Sequence, residues 1–170
     1  MLISVFAKDN SGGAPFLNES ELEGLRQTIE LLFFAYRDFT AEPDEILSRY
    51  DFGRAHHRVI YFVGRNPGIA VSQLLDILQI TKQSLARVLR QLVDEGFIEQ
   101  RPDQKDGRRR LLYLLDKGSE IEILLTTRQA ERISTAFDQA GDNVAGVFKD
   151  VLRGIINEKD RRRVSDNHQG

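Results

Sequence analysis

Leu22, Leu25, Ile29, Leu32, Phe33 and Tyr36 recur at the spacing of one helix face, and the periodicity predicts an amphipathic helix. Asn18 opens it: the run NESE supplies an N-cap residue and acids suited to the first turn. The helix is expected to end before TAEPDE. From Leu31 to Tyr36 it is apolar almost all round. A helix of that kind needs cover on more than one side. Burial against another subunit meets the need, with an ordinary core as the alternative. A second helix is predicted over Arg54 to Arg65, closed by the turn signal NPG. Ser72 then caps SQLLDILQ, with Leu74, Leu75 and Leu78 facing inward. Thr81 caps a further helix that runs to Glu95, and Gly96 is placed to end it. In this last helix Leu85, Val88, Leu89 and Leu92 form the apolar stripe.

FIEQR and RRLLYLL read as strands separated by PDQKDG. Asp106-Gly107 is a hairpin dipeptide, because glycine takes positive φ without steric cost. Two further helices are expected, from Lys117 to about Ala140 and from Asp142 to about Lys159, broken at GDN. Two capped helices joined by a short turn form a helix-turn-helix; the hairpin that follows makes it a winged helix.

Charge sharpens this picture. Residues 1–53 carry a net −6, residues 54–110 a net +5 and residues 111–170 a net −1. The total of −2 hides a basic middle third, which is the electrostatic footprint of a nucleic-acid partner. Within the last helix of the pair no acid occurs between Thr81 and Val93, although exposed helices ordinarily mix signs. The hairpin tip adds Lys105, Arg108, Arg109 and Arg110.

The chain has no cysteine, which excludes disulfides, zinc thiolates and thiol-based sensing. There is no Gly-rich phosphate loop or metal motif, so no enzyme, cofactor or metal is expected. His56 and His57 are adjacent and point about 100° apart on a helix, so they cannot form an i, i+4 metal pair. No apolar run is long enough to span a bilayer. MLISVFAKDN lacks the build of a signal peptide. The expectation is a cytoplasmic protein with no membrane partner.

The stretch HHRVIYFVGRNPGIAVSQLLDILQITKQSLARVLRQLVDEGFIEQRPDQKDGRRRLLYLLDKG resembles the winged-helix core of the MarR family of bacterial transcriptional regulators. ITKQSLARVLRQLVDEGFIEQR and the D-x-R of Asp106 and Arg108 carry the resemblance most specifically, and it extends over about residues 50 to 118. Leu115 and Ala70 stand where threonine is common in that family. The resemblance implies a mainly α fold with a small β-wing: a winged helix-turn-helix lobe plus N- and C-terminal dimerisation helices. The expected organisation is a flexible arm over 1–18, a dimerisation helix and linker over 19–50, and the DNA-binding domain over 51–116. Dimerisation helices over 117–160 and a disordered tail over 161–170 complete it. The family further implies a homodimer on pseudo-palindromic double-stranded DNA, repression as the commoner mode, and release by a small, often anionic, effector.

On that reading the recognition helix 81–95 enters the major groove with its N-terminal residues Thr81, Lys82, Gln83 and Ser84 toward the bases. Gln83 suits adenine and Arg87 guanine, each good pair contributing about 1–3 kcal/mol of discrimination. Thr81, Ser84 and Arg90 suit phosphate oxygens, which position without reading sequence. The wing 101–111 offers Arg108 to a narrow minor groove. Asp106 holds Arg108, Arg109 shares the contact, and Arg110 is a plain surface charge. Tyr36, His56 and Arg58 are the candidate effector ligands, against the plainer expectation that one histidine packs in the core and the other is solvated. An activator or dual regulator without an effector stays open, as does a winged helix that binds protein.

Overall fold

The computed structural model describes residues 17–166; the arm expected over 1–18, apart from its last two residues, and the end of the tail lie outside them. Of the described residues, 17–38 belong to one compact unit and 39–166 to a second.

Helix α1 spans Glu19–Ser48. It starts where the sequence places it: Asn18 Oδ1 accepts from Glu21 N at 2.9 Å, and Glu21 Oε2 accepts from Asn18 N at 2.8 Å. This reciprocal pair satisfies two of the helix's orphan N–H groups. In the first unit the apolar residues of α1 are solvent-exposed, with Leu31 at 68% and Phe33 at 66%. The expected stop before TAEPDE does not occur, and α1 runs through Pro43 to Ser48. Proline removes the N–H that would serve the carbonyl of Phe39. Gln129 Nε2 supplies a replacement donor to that carbonyl at 3.4 Å. Thr40, Pro43 and Leu47 are buried on this last stretch, so packing outweighs the local penalty.

In the second unit α2 (Arg54–Arg65), α3 (Val71–Leu78) and α4 (Lys82–Asp94) surround a core with Leu47, Ile60, Leu74, Leu85, Leu92, Phe97 and Leu112 among its buried members. The sheet has three antiparallel strands, β1 (Ile69–Ala70), β2 (Ile98–Pro102) and β3 (Arg110–Leu114), in the order β1-β3-β2. β2 and β3 are the two expected wing strands. β1 is too short to show alternation in sequence; it pairs Ile69 with Leu112 and Ala70 with Leu111. The chain passes from β1 directly into α3, so Ala70, not Ser72, is the N-cap. Gln73 Oε1 accepts from the Ala70 N–H at 3.0 Å.

Gly96, at φ +75°, ends α4 as expected. α5 (Asp116–Ala140) begins hard against the strand that follows. A Cβ on Gly118 would lie 2.1 Å from the Phe97 carbonyl oxygen, so only glycine fits. α6 (Val144–Ile155) buries none of its residues in the chain, and Val147 is 65% and Ile155 60% exposed. α7 (Glu158–Asp166) corrects the expectation of a disordered tail from residue 161, at least through Asp166. Its ion pairs, described below, hold what hydrophobicity alone would not. Among the described residues no helix is long and apolar enough to cross a membrane.

Candidate nucleic-acid interface

α4 owes its position to two features of its sequence. Leu85, Val88, Leu89 and Leu92 are buried, which fixes the rotation of the helix about its axis. Thr81 fixes its start: Oγ1 accepts from Ser84 N at 3.1 Å and donates to Ser84 Oγ at 2.9 Å. The opposite face leaves Lys82, Gln83, Arg87 and Arg90 exposed, while Ser84 is half-buried. Gln83 and Arg87 are four residues apart and lie on the same side. With no acid in the first turn, the partial positive charge of the helix N-terminus is uncompensated and available to phosphate.

Arg90 and Lys82 lie on the flank toward the wing. They border a groove with Arg108, Arg109 and Arg110, and the apolar floor includes Val71, Leu75 and Leu89. Asp94 is the acid at its edge. Arg110, expected as a plain surface charge, therefore joins the other cations around this groove. Its side of the strand is set by the pairing of β3 with Pro102 of β2.

The wing tip is built by its aspartates. Asp103 Oδ1 accepts from Lys105 N at 2.9 Å, and Asp106 Oδ1 accepts from Arg108 N at 3.1 Å. Asp106 thus supports Arg108 through its backbone, as an Asx turn does. Gly107 is not among the residues with positive φ. The expected glycine-dependent dipeptide turn is replaced by this side-chain device and by the Arg109 N to Asp106 O bond of 2.9 Å. Arg109 also pairs with Asp103 at 3.4 Å, which leaves Arg108 the less encumbered guanidinium of the two. Arg101, absent from the residues expected at the interface, stacks 4.6 Å from the Tyr113 ring centre and pairs with Glu99.

Gln91 follows Arg87 by four residues along the polar side of α4, yet it is half-buried and points to α2. Its Oε1 accepts from His56 Nε2 at 2.9 Å. The same imidazole accepts the Gly53 N–H on Nδ1 at 3.1 Å and stacks on Phe52 at 4.6 Å. Both ring nitrogens are therefore engaged with the neutral ring, one as donor and one as acceptor. Burial holds the His56 pKa below its ordinary value, against the raising effect of the Gln91 bond. His57 is also half-buried and lowered by burial, with Asp44 and Glu122 pulling the other way. The expected split into one packed and one solvated histidine is not found. Arg58 is exposed and donates weakly to the Arg54 carbonyl at 3.4 Å, and Tyr36 is exposed on α1. A ligand on His56 would have to displace the α2 cap or the Gln91 bond. No cluster of side chains able to hold a metal occurs among the described residues.

A capped helix with no acid before Asp94, set beside a cationic hairpin, defines a winged-helix DNA-binding protein. Known proteins agree. The sequence profile of the MarR family matches residues 50–109. The chain is 46% identical over 140 residues to the HTH-type transcriptional regulator PetP of Rhodobacter capsulatus, covering 82% of this chain and 84% of that relative. The crystal structure of MarR, at 26% identity and a TM-score of 0.58, covers 81% of this chain and 98% of its own. Streptococcus pneumoniae FabT, crystallised in complex with DNA, shares the fold at 22% identity and a TM-score of 0.68, over 77% of this chain and 94% of FabT. The chain belongs to the MarR family, whose members are transcription regulators rather than enzymes.

Proposed function

We propose that the protein acts as a homodimer on pseudo-palindromic operators, with α4 of each subunit in a major groove and each wing at the adjacent minor groove. Gln83 and Arg87 read base edges; Thr81, Lys82, Ser84 and Arg90 hold phosphates; Arg108, with Arg109 beside it, enters the minor groove. Bound over a promoter, such a dimer represses by occupying the site that polymerase needs. The observation that carries the dimer is the apolar surface left exposed on two helices. Leu31 and Phe33 of α1 and Val147, Val151 and Ile155 of α6 are all more than half exposed. Rows of that size mark protein contacts on a soluble chain, and each such side chain contributes about 1.5–3 kcal/mol when fully covered. A second copy also supplies the two-fold symmetry that a palindrome requires.

Sedimentation equilibrium tests this reading. The wild-type chain should sediment at twice 19.4 kDa, and Val151→Asp with Ile155→Asp should shift it toward the monomer and weaken operator binding. A monomeric wild type at micromolar concentration would remove the dimer from the account.

A further inference from the structure

Between residues 66 and 93 the chain has one acid, Asp76. It lies on α3, and with Ser72, Gln79, Ile80 and Thr81 it lines a shallow surface hollow at the turn of the helix-turn-helix. Thr81 is the N-cap of α4, so the acid shares a surface with the start of the recognition helix. A bare carboxylate there would face the phosphates that the rest of this surface attracts. The chain does not leave it bare. Lys159 Nζ of α7 pairs with Asp76 Oδ1, and Arg163 Nη2 pairs with Oδ2. Arg163 Nη1 also reaches the Asp76 carbonyl at 3.4 Å and Asp160 at 2.9 Å. Val164 and Arg163 border a second hollow with Phe62 and Ile77, and Val164 stays exposed, so the ion pairs are the contacts that hold α7 on α3.

The other two cations of α7 are also engaged. Arg162 pairs with Glu158, and Arg161 donates to the carbonyls of Ile156 and Gly154 at the end of α6. The helix carries four cations and three acids, so docking it on Asp76 brings the local charge to zero rather than creating a cationic patch. The Lys159 hydrogen bond, foremost, holds the Asp76 carboxyl below the usual carboxylate range. The acid therefore remains ionised and is neutralised by pairing, not by protonation.

We infer that α7 is a removable charge cover: docked, it cancels Asp76 and admits the helix-turn-helix to DNA; undocked, it exposes the acid and weakens binding. The inference rests on α3 and α4 facing duplex DNA. The pairs are solvent-exposed, each contributing little and weakened further by salt. That keeps the cover easily lifted, by competing ions or by any partner that takes up α7.

Three full-length variants test it, with binding measured by fluorescence anisotropy on a duplex selected from random DNA by the wild-type chain. Hydrogen exchange over 158–166 reports docking. Lys159→Gln with Arg163→Gln should undock α7 and leave Asp76 uncovered. Each uncovered charge offsets one phosphate contact, whose salt slope is about 0.9. Between 50 and 200 mM salt that slope amounts to about threefold per subunit, so affinity should fall severalfold at low salt. Asp76→Asn should undock α7 yet bind at least as tightly as wild type. Adding Asp76→Asn to the double variant should restore binding. A triple variant as weak as the double overturns the inference, as does an Asp76→Asn protein as weak as the double. So does a double variant that binds normally, or one that binds weakly while α7 stays protected, since the cations would then touch DNA directly. If the wild type selects no duplex, the DNA-binding reading itself fails, and this one falls with it.

Discussion

Arg108→Ala isolates the wing, because the guanidinium is exposed while the turn beneath it is held by Asp106 Oδ1 on the Arg108 backbone N–H at 3.1 Å. The substitution removes a charge and keeps the hairpin, since the supporting bond does not involve the side chain. In the proposed dimer two charges are lost per operator. Each phosphate-neutralising cation contributes about 0.9 to the slope of log affinity against log salt, so the slope should flatten by about 1.8. Raising salt from 50 to 200 mM changes log salt by about 0.6. The gap between wild type and variant should therefore shrink about twelvefold over that range. Fluorescence anisotropy at four or five salt concentrations on one duplex measures it. Arg109→Ala is the internal comparison. Its side chain is paired with Asp103 at 3.4 Å, so its removal also frees an acid and should cost affinity with a different salt response. An unchanged slope for Arg108→Ala, with affinity merely scaled, would refute the contact and place the wing away from DNA.

Thr81→Ala removes the cap on Ser84 N and should cost about 1 kcal/mol in chemical denaturation; a neutral result would show that the cap is replaced from elsewhere. Gly118→Ala puts a Cβ 2.1 Å from the Phe97 carbonyl, and overpacking of that kind should cost about 3 kcal/mol, or more; an unchanged Tm would mean that α5 slides freely. His56 and His57 both have folded pKa values held below the ordinary value by burial. The unfolded chain therefore binds protons first as pH falls. Their contribution to stability is intact above the unfolded value of about 6.5 and is lost as pH drops through the lower folded values. Calorimetry should show Tm flat above pH 7 and falling below pH 6.5; replacing both histidines by glutamine should blunt that fall, and an undiminished fall would trace it to other groups.

What was legible in the sequence was local. The Asn18 and Thr81 caps, the stripe from Leu85 to Leu92, Gly96 as a stop and the hairpin between the wing strands all depend on neighbours within a few residues. The structure departs where distant parts of the chain intervene. Pro43 stays helical because Gln129, far along the chain, serves the carbonyl that proline leaves open. Gln91 leaves the polar face because its partner His56 belongs to another helix. β1 exists only through its pairing with β3. The wing turn lies in the expected segment but depends on a different residue, since Asp106 bends it by a side-chain bond while Gly107 has no positive φ. Lys159 falls at the end of an expected helix and Arg163 in an expected disordered tail because Asp76, their partner, lies more than eighty residues away.

In the proposed complex two copies of α4, held by dimer symmetry, read DNA through Gln83 and Arg87. In vitro selection of bound duplexes from a random pool measures it most directly. The selected duplexes should share a pseudo-palindrome whose half-site centres lie about 10 base pairs apart, one helical turn. Gln83→Ala should relax preference at one position in each half-site while leaving the others unchanged. Selected duplexes without inverted symmetry, or a Gln83→Ala protein that loses affinity equally for every base at every position, would contradict it.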